Sequence, residues 1–263
     1  MRTLARAVGG KDIGGEPIPT VFKTFEVNKI VIRRSEISMI AGTPGAGKST
    51  LALAMALKSK VPTLYISADT NAHTMAMRLL SMITGLPQSV AEQKLIEDVE
   101  GSRNVINNSS GHIFWSFDSS PSLADIDMEV SAFEELWGCS PTLIVIDNLM
   151  DIANDSGDEF GGMRATMKEL KYLARDTNAA ILLLHHTKES YPGEPCQPRA
   201  AIQGMVNQIP ALILTVGSDA PGFLAASPVK NRYGKPDPSG KVAYWLQFNP
   251  EIMDVSDIPE RVL

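Results

Sequence analysis

The chain has 263 residues and carries 24 lysines and arginines against 30 aspartates and glutamates, a formal net charge of −6. A hydrophobic fraction of 44% and a charged fraction of 21% are typical of a soluble globular protein. No apolar run approaches the roughly 20 residues that span a bilayer, so no membrane partner is expected. The acidic balance counts against a protein that coats duplex DNA non-specifically.

The N-terminal residues and the cysteines indicate a cytoplasmic protein. Residues 1–17 contain two arginines but no apolar core, so they do not resemble a secretory signal. Cys139 and Cys196 lie far apart and lack the spacing of metal ligands, which favours a reducing compartment.

Short apolar runs of the kind that form strands alternate with helical patterns along the chain. Predicted strands cover residues 36–41, 63–67, 113–117, 143–146 and 180–184, followed by 211–216, 223–229 and 242–248 in a β-rich end. Predicted helices cover residues 49–59 and 72–83. Two further helices are predicted from apolar residues at helical spacing, which form one stripe of Leu123, Ile126, Val130, Phe133 and Trp137 and another of Met163, Met167, Leu170 and Ala174. The polar residues 88–110 are predicted as helix and loop.

This order predicts an α/β fold, with a mostly parallel twisted sheet flanked by helices and a β-rich C-terminal extension. The Gly- and Pro-rich residues 1–24 are predicted to form an N-terminal arm. Residues 25–250 are predicted to form the single main domain, and residues 251–263 a C-terminal tail.

A phosphate-binding loop is predicted where the first strand meets the first long helix. Residues 42–49 read GTPGAGKS, which matches the eight-position phosphate-loop pattern at every position. The glycines allow backbone N–H groups to face phosphates, the lysine neutralises the β and γ phosphates, and the serine hydroxyl binds Mg²⁺. The predicted cofactors are therefore ATP and Mg²⁺, held by Gly42, Thr43, Pro44, Gly45, Ala46, Gly47, Lys48 and Ser49, with a secondary role for Thr50.

Two carboxylates follow predicted strands. Asp147 ends the apolar run at 143–146, where a carboxylate supports the Mg²⁺ ion beside a phosphate loop. Asp69 ends the strand at 63–67 and is predicted to orient the attacking water. The alternative for Asp69 is an N-cap of the helix that begins near Ala72.

Together these motifs resemble the hexameric RecA-like ATPases of the DnaB helicase, RadA and RepA type over residues 25–248. In that family the second strand ends in a catalytic glutamate and the next helix carries an arginine; here Asp69 and Arg78 fall at those places, with aspartate replacing glutamate. The resemblance implies a bare motor core, of the kind found in phage- and plasmid-type proteins, in a bacterial or phage-infected cell.

The resemblance also implies a residue that senses the γ-phosphate, here called the sensor. It further implies a lysine and an arginine that act on the nucleotide of a neighbouring subunit, here called the finger. The sequence LLLHHTKE at 182–189 is similar to the histidine-containing sensor strand of RadA and RepA, in which His185 would feel the γ-phosphate. The sequence KNRYG at 230–234 is very close to the RadA signature, in which the lysine and arginine, here Lys230 and Arg232, reach a neighbouring subunit's γ-phosphate. A simple β-turn is the alternative for this segment, and a structural histidine for His185.

The family resemblance implies an oligomeric motor, a ring or a filament, that acts on single-stranded DNA in replication, recombination or repair. Channel loops would cover residues 151–162 and 187–203, and the second loop carries a basic and aromatic set for DNA: Lys188, Tyr191, Arg199 and Gln203.

Two alternative functions remain open from the sequence. Asp147, Asp151 and Asp155 could bind two metal ions for DNA cleavage, which would make the chain a nuclease on an ATPase fold. The other alternative is a non-motor ATP-dependent switch that binds a protein partner. A Lys48→Ala variant distinguishes a motor, which it inactivates, from an independent nuclease, which it spares.

Overall fold

The computed structural model describes residues 15–153, 159–188, 193–218 and 221–259. Within these ranges the strands are β1 Ile37–Gly42, β2 Thr63–Ser67, β3 Ile113–Ser116, β4 Leu143–Asp147, β5 Ala180–His186, β6 Leu212–Gly217, β7 Phe223–Asn231, β8 Tyr244–Asn249 and β9 Asp254–Asp257. The helices are α1 Lys23–Val27, α2 Lys48–Ser59, α3 Ala72–Thr84, α4 Gln88–Glu97, α5 Val99–Ser110, α6 Leu123–Trp137 and α7 Glu159–Asp176. Short 3-10 turns cover Leu149–Asp151, Arg199–Ala201 and Gln203–Gln208.

The described strands form one sheet in the order β3-β2-β4-β5-β1-β6-β7-β8-β9. The strands from β3 to β6 run parallel, and β7, β8 and β9 continue the sheet antiparallel. This confirms the predicted parallel sheet with a β-rich extension. Because parallel strands share one direction, Gly42, Ser67, Asp147 and His186 all lie at one edge, here called the carboxyl edge; the opposite edge is the amino edge.

Helices pack on both faces of the sheet. The first face is covered by α2 and α3, whose buried side chains include Leu51 and Leu79. The second face is covered by α6 and α7, and the predicted stripes lie there with Phe133 and Met167 fully buried. The apolar strands are therefore buried on both sides, as expected for a parallel sheet.

The two ends of the chain differ from the predicted arm and tail. Within the arm, Ile18 and Phe22 are buried in the core of the first face. Within the tail, β9 pairs with β8, and the Asp257 carboxylate accepts hydrogen bonds from the backbone N–H groups of Lys23 (2.7 Å) and Thr24 (2.9 Å). β9 contains only one apolar residue, so hydropathy gives no signal for this strand. Residues 1–14 and 260–263 lie outside the described ranges.

The polar residues 88–110, where the periodicity is weak, form two helices separated by Asp98. The Asp98 side chain caps α5 by accepting from the N–H of Gly101. No helix in the described part of the chain is long and apolar enough to cross a membrane.

Candidate nucleotide-binding and catalytic site

The phosphate loop runs from Gly42 at the end of β1 to Ser49 in the first turn of α2. A side chain at position 42 would place its Cβ 2.7 Å from the carbonyl oxygen of Val216, which leaves room only for glycine. Gly45 and Gly47 have φ angles of 76° and 85°, in the left-handed region that favours glycine. The loop backbone thus requires the glycines of the motif, and α2 directs its free N–H groups into the loop.

Lys48 folds back over the loop. Its Nζ donates to the carbonyl oxygens of Gly42 at 3.2 Å and Thr43 at 3.0 Å. Burial lowers the pKa of the Lys48 ammonium, and the nearby carboxylates of Asp147 and Asp69 act in the opposite direction. The ammonium is therefore held beside the loop, where it can neutralise phosphate charge.

Asp147 ends β4 next to the loop and is only 3% exposed. Burial raises the pKa of its carboxyl group, while the Ser49 side chain and the charge of Lys48 act in the opposite direction. The Asp147 Oδ2 atom has no hydrogen-bond partner among the described residues. Hydroxyl and carboxylate oxygens are ligands that Mg²⁺ prefers, so Ser49 and Asp147 fit the predicted metal site.

These side chains line one cleft of about 370 Å³ at the carboxyl edge, and Asp69 and Arg78 line it too. The backbone N–H of Asp69 donates to the Asp147 carbonyl at 3.3 Å, which places the end of β2 against the end of β4. The alternative interpretation of Asp69 as a helix cap is wrong, because Asn71 caps α3 and accepts from the N–H of Thr74.

One wall of the cleft comes from residues that no motif indicates: Gln88, Phe248, Pro250 and Met253. The Phe248 ring lies 3.8 Å from the position that a Cβ on Gly47 would take, so it borders the phosphate loop. The Gln88 side chain donates to the Pro250 carbonyl at 2.8 Å and thereby ties α4 to the turn after β8. This wall depends on the packing of distant segments, for which the sequence contains no local signal.

The two histidines at the end of β5 have different surroundings. His186 lines the cleft, where burial lowers its pKa and the carboxylates of Asp69 and Asp151 act in the opposite direction. His185 is fully buried, with its Nε2 3.0 Å from the carbonyl oxygen of Gln203, and burial lowers its pKa to about 4.

The structure therefore corrects the prediction for His185, because His186 and not His185 lines the cleft. The cause is strand alternation: His185 aligns with Ala41 of the second-face core, and His186 aligns with Gly42 of the phosphate loop. The preceding residues of β5 are apolar on both faces, so the sequence gives no alternation from which the two histidines could be told apart.

Arg232 lies at the amino edge of the sheet. Its backbone N–H donates to the Ala211 carbonyl at 3.0 Å, and the N–H of Ala211 donates to the carbonyl of Ile37, the first residue of β1. From Ile37 to Gly42 the strand advances about 17 Å, at about 3.3 Å per residue. The exposed Arg232 side chain therefore does not line the cleft of its own chain.

Lys230 points into its own chain, which departs from the predicted contact with a neighbouring subunit. Its Nζ donates to the carbonyl oxygens of Asn207 at 3.0 Å and Gln208 at 2.6 Å. Burial lowers the pKa of Lys230 to about 8, and the positive charges of Arg232 and Arg199 act in the same direction.

A fixed turn carries the predicted finger. The Tyr233 hydroxyl donates to Glu36 Oε1 at 2.6 Å, and the Arg33 guanidinium lies 4.3 Å from the centre of the Tyr233 ring. The Asn231 side chain donates to the Lys29 carbonyl at 3.0 Å. The turn is therefore anchored on both sides of Arg232, and a turn and a finger are compatible here.

The residues predicted to contact DNA lie around the loop that follows β5. Lys188 and Arg199 are exposed, Gln203 is half-buried, and Tyr191 lies outside the described residues. The backbone N–H of Lys188 donates to the Ala201 carbonyl at 2.9 Å, which closes the base of the loop.

Family and sequence comparisons agree with this geometry. The model of a family described as "AAA domain" matches residues 26–190. The gene 65 protein of Mycobacterium phage L5 is 35% identical over 256 residues, which cover 92% of this chain and 94% of that protein. The chain belongs to the AAA domain family. It is a P-loop ATPase.

Two other proteins resemble this AAA-domain chain more distantly. The DNA repair protein RadA of Bacillus subtilis is 27% identical over 247 residues, which cover 89% of this chain and 45% of RadA. A solved structure of a DnaB-like replicative helicase superposes with a TM-score of 0.78 at 14% identity, covering 97% of this chain and 66% of the helicase. This likeness confirms the predicted RecA-like fold.

Proposed function

We propose that this ATPase is an oligomeric motor, a hexameric ring or a filament, that couples MgATP hydrolysis to single-stranded DNA in replication, recombination or repair. The observation that carries the proposal is the separation of two halves of a catalytic site. The phosphate loop lies at the carboxyl edge, whereas the exposed Arg232 lies at the amino edge, about 17 Å away along the direction of the strands. The site is complete when the amino edge of one subunit meets the carboxyl edge of the next, a head-to-tail contact that forms rings or filaments.

Within one cleft, the backbone N–H groups of the phosphate loop bind the phosphates and Lys48 neutralises their charge, with a secondary role for Thr50. Ser49 and Asp147 hold Mg²⁺, which supplies charge neutralisation on the phosphate oxygens when it is bound. Ser49 and Asp147 line the same cleft, and the Ser49 side chain acts to lower the pKa of the Asp147 carboxyl group, which supports this assignment.

Asp69 orients the attacking water, with His186 beside it. An aspartate is one methylene shorter than a glutamate, so a second polar group near the water compensates for the shorter reach. His186 lines the same cleft and interacts electrostatically with Asp69. We therefore assign the γ-phosphate sensor to His186, and give His185 a structural role.

Arg232 acts on the neighbouring subunit. A guanidinium at the transferred phosphoryl group stabilises the charge that develops as the leaving group departs. The anchored turn around Tyr233 holds Arg232 at the surface, which reduces the entropy lost when it enters a neighbour's cleft.

Single-stranded DNA is the proposed partner, and the loop that follows β5 is the proposed contact. The exposed Lys188 and Arg199 supply positive charge for a nucleic-acid backbone, with Gln203 at the end of the loop. Tyr191, which lies outside the described residues, would add an aromatic surface. A relative described as a DNA repair protein and a structural neighbour described as a replicative helicase both support a role in DNA metabolism.

The cytoplasm of a bacterial or phage-infected cell is the proposed location. The phage L5 relative supports it, and so does the wide separation of Cys139 and Cys196 along the chain.

The nuclease alternative receives no support from the described residues. Among them, no group of three or more His, Cys, Asp or Glu side chains could hold a metal ion. Asp147 and Asp151 are described, whereas Asp155, the third member of the predicted cluster, lies outside the described ranges.

The proposal is tested by steady-state ATP hydrolysis with and without a single-stranded oligonucleotide, using duplex DNA as a control. We expect stimulation by the single strand and loss of hydrolysis in Lys48→Ala. Hydrolysis that is indifferent to DNA would contradict the motor and favour the protein-partner switch. DNA cleavage that persists in Lys48→Ala would instead establish a nuclease.

A further inference from the structure

The 3-10 turn Gln203–Gln208, here called the bridging segment, contacts side chains from two distant strands. At its start, the Gln203 carbonyl lies 3.0 Å from Nε2 of His185, at the carboxyl edge of β5. At its end, the carbonyls of Asn207 and Gln208 accept hydrogen bonds from the Lys230 ammonium of β7. One segment of six residues therefore joins β5, which ends at the cleft, to β7, which ends one residue before Arg232.

The bridging segment has little regular backbone structure of its own. Gly204 and Met205 have φ angles of 73° and 52°, and the left-handed conformation is unfavourable for the methionine. The backbone bond from Ile209 N–H to the Val206 carbonyl is long, at 3.5 Å. The conformation of the segment therefore depends on contacts from outside it.

Lys230 supplies such a contact at the C-terminal end, where carbonyl groups of a helical turn lack partners within the turn. A lysine ammonium with two carbonyl oxygens at 3.0 Å and 2.6 Å satisfies them. Lys230 aligns with Ile213 of the second-face core, and the bridging segment packs on the same face through Val206. Arg232, by contrast, is exposed.

We infer that Lys230 is a positioning residue that fixes the bridging segment within its own subunit, so that Arg232 alone is the cation presented to a neighbour. This rests on the proposed function only in giving Arg232 its role in an assembly. Through the bridging segment, Lys230 of β7 is linked to His185 of the same subunit. His185 precedes the cleft residue His186 in the sequence. Its loss therefore impairs the cleft of the same subunit, whereas loss of Arg232 impairs the cleft of the next one.

The first experiment measures amide hydrogen exchange of residues 203–208 in the full chain, without nucleotide and at low concentration. Lys230→Met keeps the aliphatic part of the side chain but removes the donors, and Arg232→Met is the matched control. We expect exchange in the bridging segment to rise about tenfold or more in Lys230→Met, because charge-assisted hydrogen bonds are lost, and to stay unchanged in Arg232→Met. Unchanged exchange in Lys230→Met overturns the inference.

The second experiment mixes each variant with Lys48→Ala, whose own cleft should not hydrolyse ATP but whose Lys230 and Arg232 are intact. Arg232→Met supplies intact clefts and should recover hydrolysis in the mixture, because its partner donates the arginine. Lys230→Met should not recover, because its own cleft is impaired. Recovery of Lys230→Met to the same extent as Arg232→Met would make Lys230 a trans-acting residue and overturn the inference.

The two proposals fail separately. If Arg232→Met does not recover in the mixture, the trans-acting finger of the proposed function is wrong. The exchange measurement needs no assembly and still decides whether Lys230 holds the bridging segment.

Discussion

Replacement of His185 by glutamine is expected to make the protein less sensitive to acid. Burial lowers the pKa of His185 to about 4 in the folded protein, from the ordinary value of 6.5. Nε2 donates its proton to the Gln203 carbonyl, and Nδ1 has no partner among the described residues. Protonation would therefore bury a charge and leave one N–H without an acceptor. Glutamine keeps a donor for Gln203 but does not titrate.

The sign and size of the effect follow from this difference in pKa. Between pH 6.5 and about 4 the unfolded chain binds a proton at His185 that the folded chain does not bind. The free energy of unfolding therefore falls as the pH drops through this window, and His185 has no effect above it. The difference between 6.5 and about 4 corresponds to about 3 kcal/mol. Domains of ordinary stability unfold with about 5–15 kcal/mol, so the loss is large.

The assay is urea unfolding of dilute protein followed by tryptophan fluorescence, near pH 7.5 and near pH 4.5. Wild type should lose about 2.5 kcal/mol more than His185→Gln between the two pH values, because pH 4.5 lies inside the window and not below it. His73→Gln, which alters an exposed histidine, is the matched control and should behave as wild type. An equal acid-induced loss in wild type and His185→Gln would refute the reasoning.

Three further substitutions test the packing at the end of β6 and two residues of the cleft. Gly217→Ala would place a Cβ 1.8 Å from the Pro195 carbonyl oxygen, so the free energy of unfolding measured in urea should fall by about 2 kcal/mol. An unchanged urea midpoint of unfolding would contradict this contact. Asp147→Asn should lower kcat by about 100-fold across a Mg²⁺ titration while nucleotide binding persists; full activity would exclude a metal role. Phe248→Ala should raise KM about tenfold at constant kcat, because its ring borders the loop; an unchanged KM would remove it from the nucleotide site.

The sequence predicts the sheet because the parallel strands are nearly continuous apolar runs and the helices on the second face have clear stripes. Strand β9 is not predicted because it has a single buried apolar residue, Val255, and one residue cannot show the alternation typical of a strand. It is held instead by pairing with β8 and by the hydrogen bonds that the Asp257 carboxylate accepts from backbone N–H groups of α1. Those contacts exist only after the chain has folded.

The same limit applies to the cleft. Its phosphate loop and Asp147 are local motifs at strand ends, so their spacing alone indicates them. The choice between His185 and His186 depends on which face each side chain takes, and the inward direction of Lys230 depends on a distant turn at 203–208. A motif places a residue near a site, but only the packing decides where the side chain points.

The central claim, that neighbouring subunits complete each ATPase site, is tested most directly by hydrolysis measured across protein concentration. Wild type and Arg232→Ala are compared with Lys241→Ala, which removes another exposed cation. We predict that activity per subunit rises with concentration in wild type and in Lys241→Ala. In Arg232→Ala it should be lower by about 10³-fold or more, with nucleotide binding retained. Activity per subunit that is independent of concentration and unchanged in Arg232→Ala would contradict the claim.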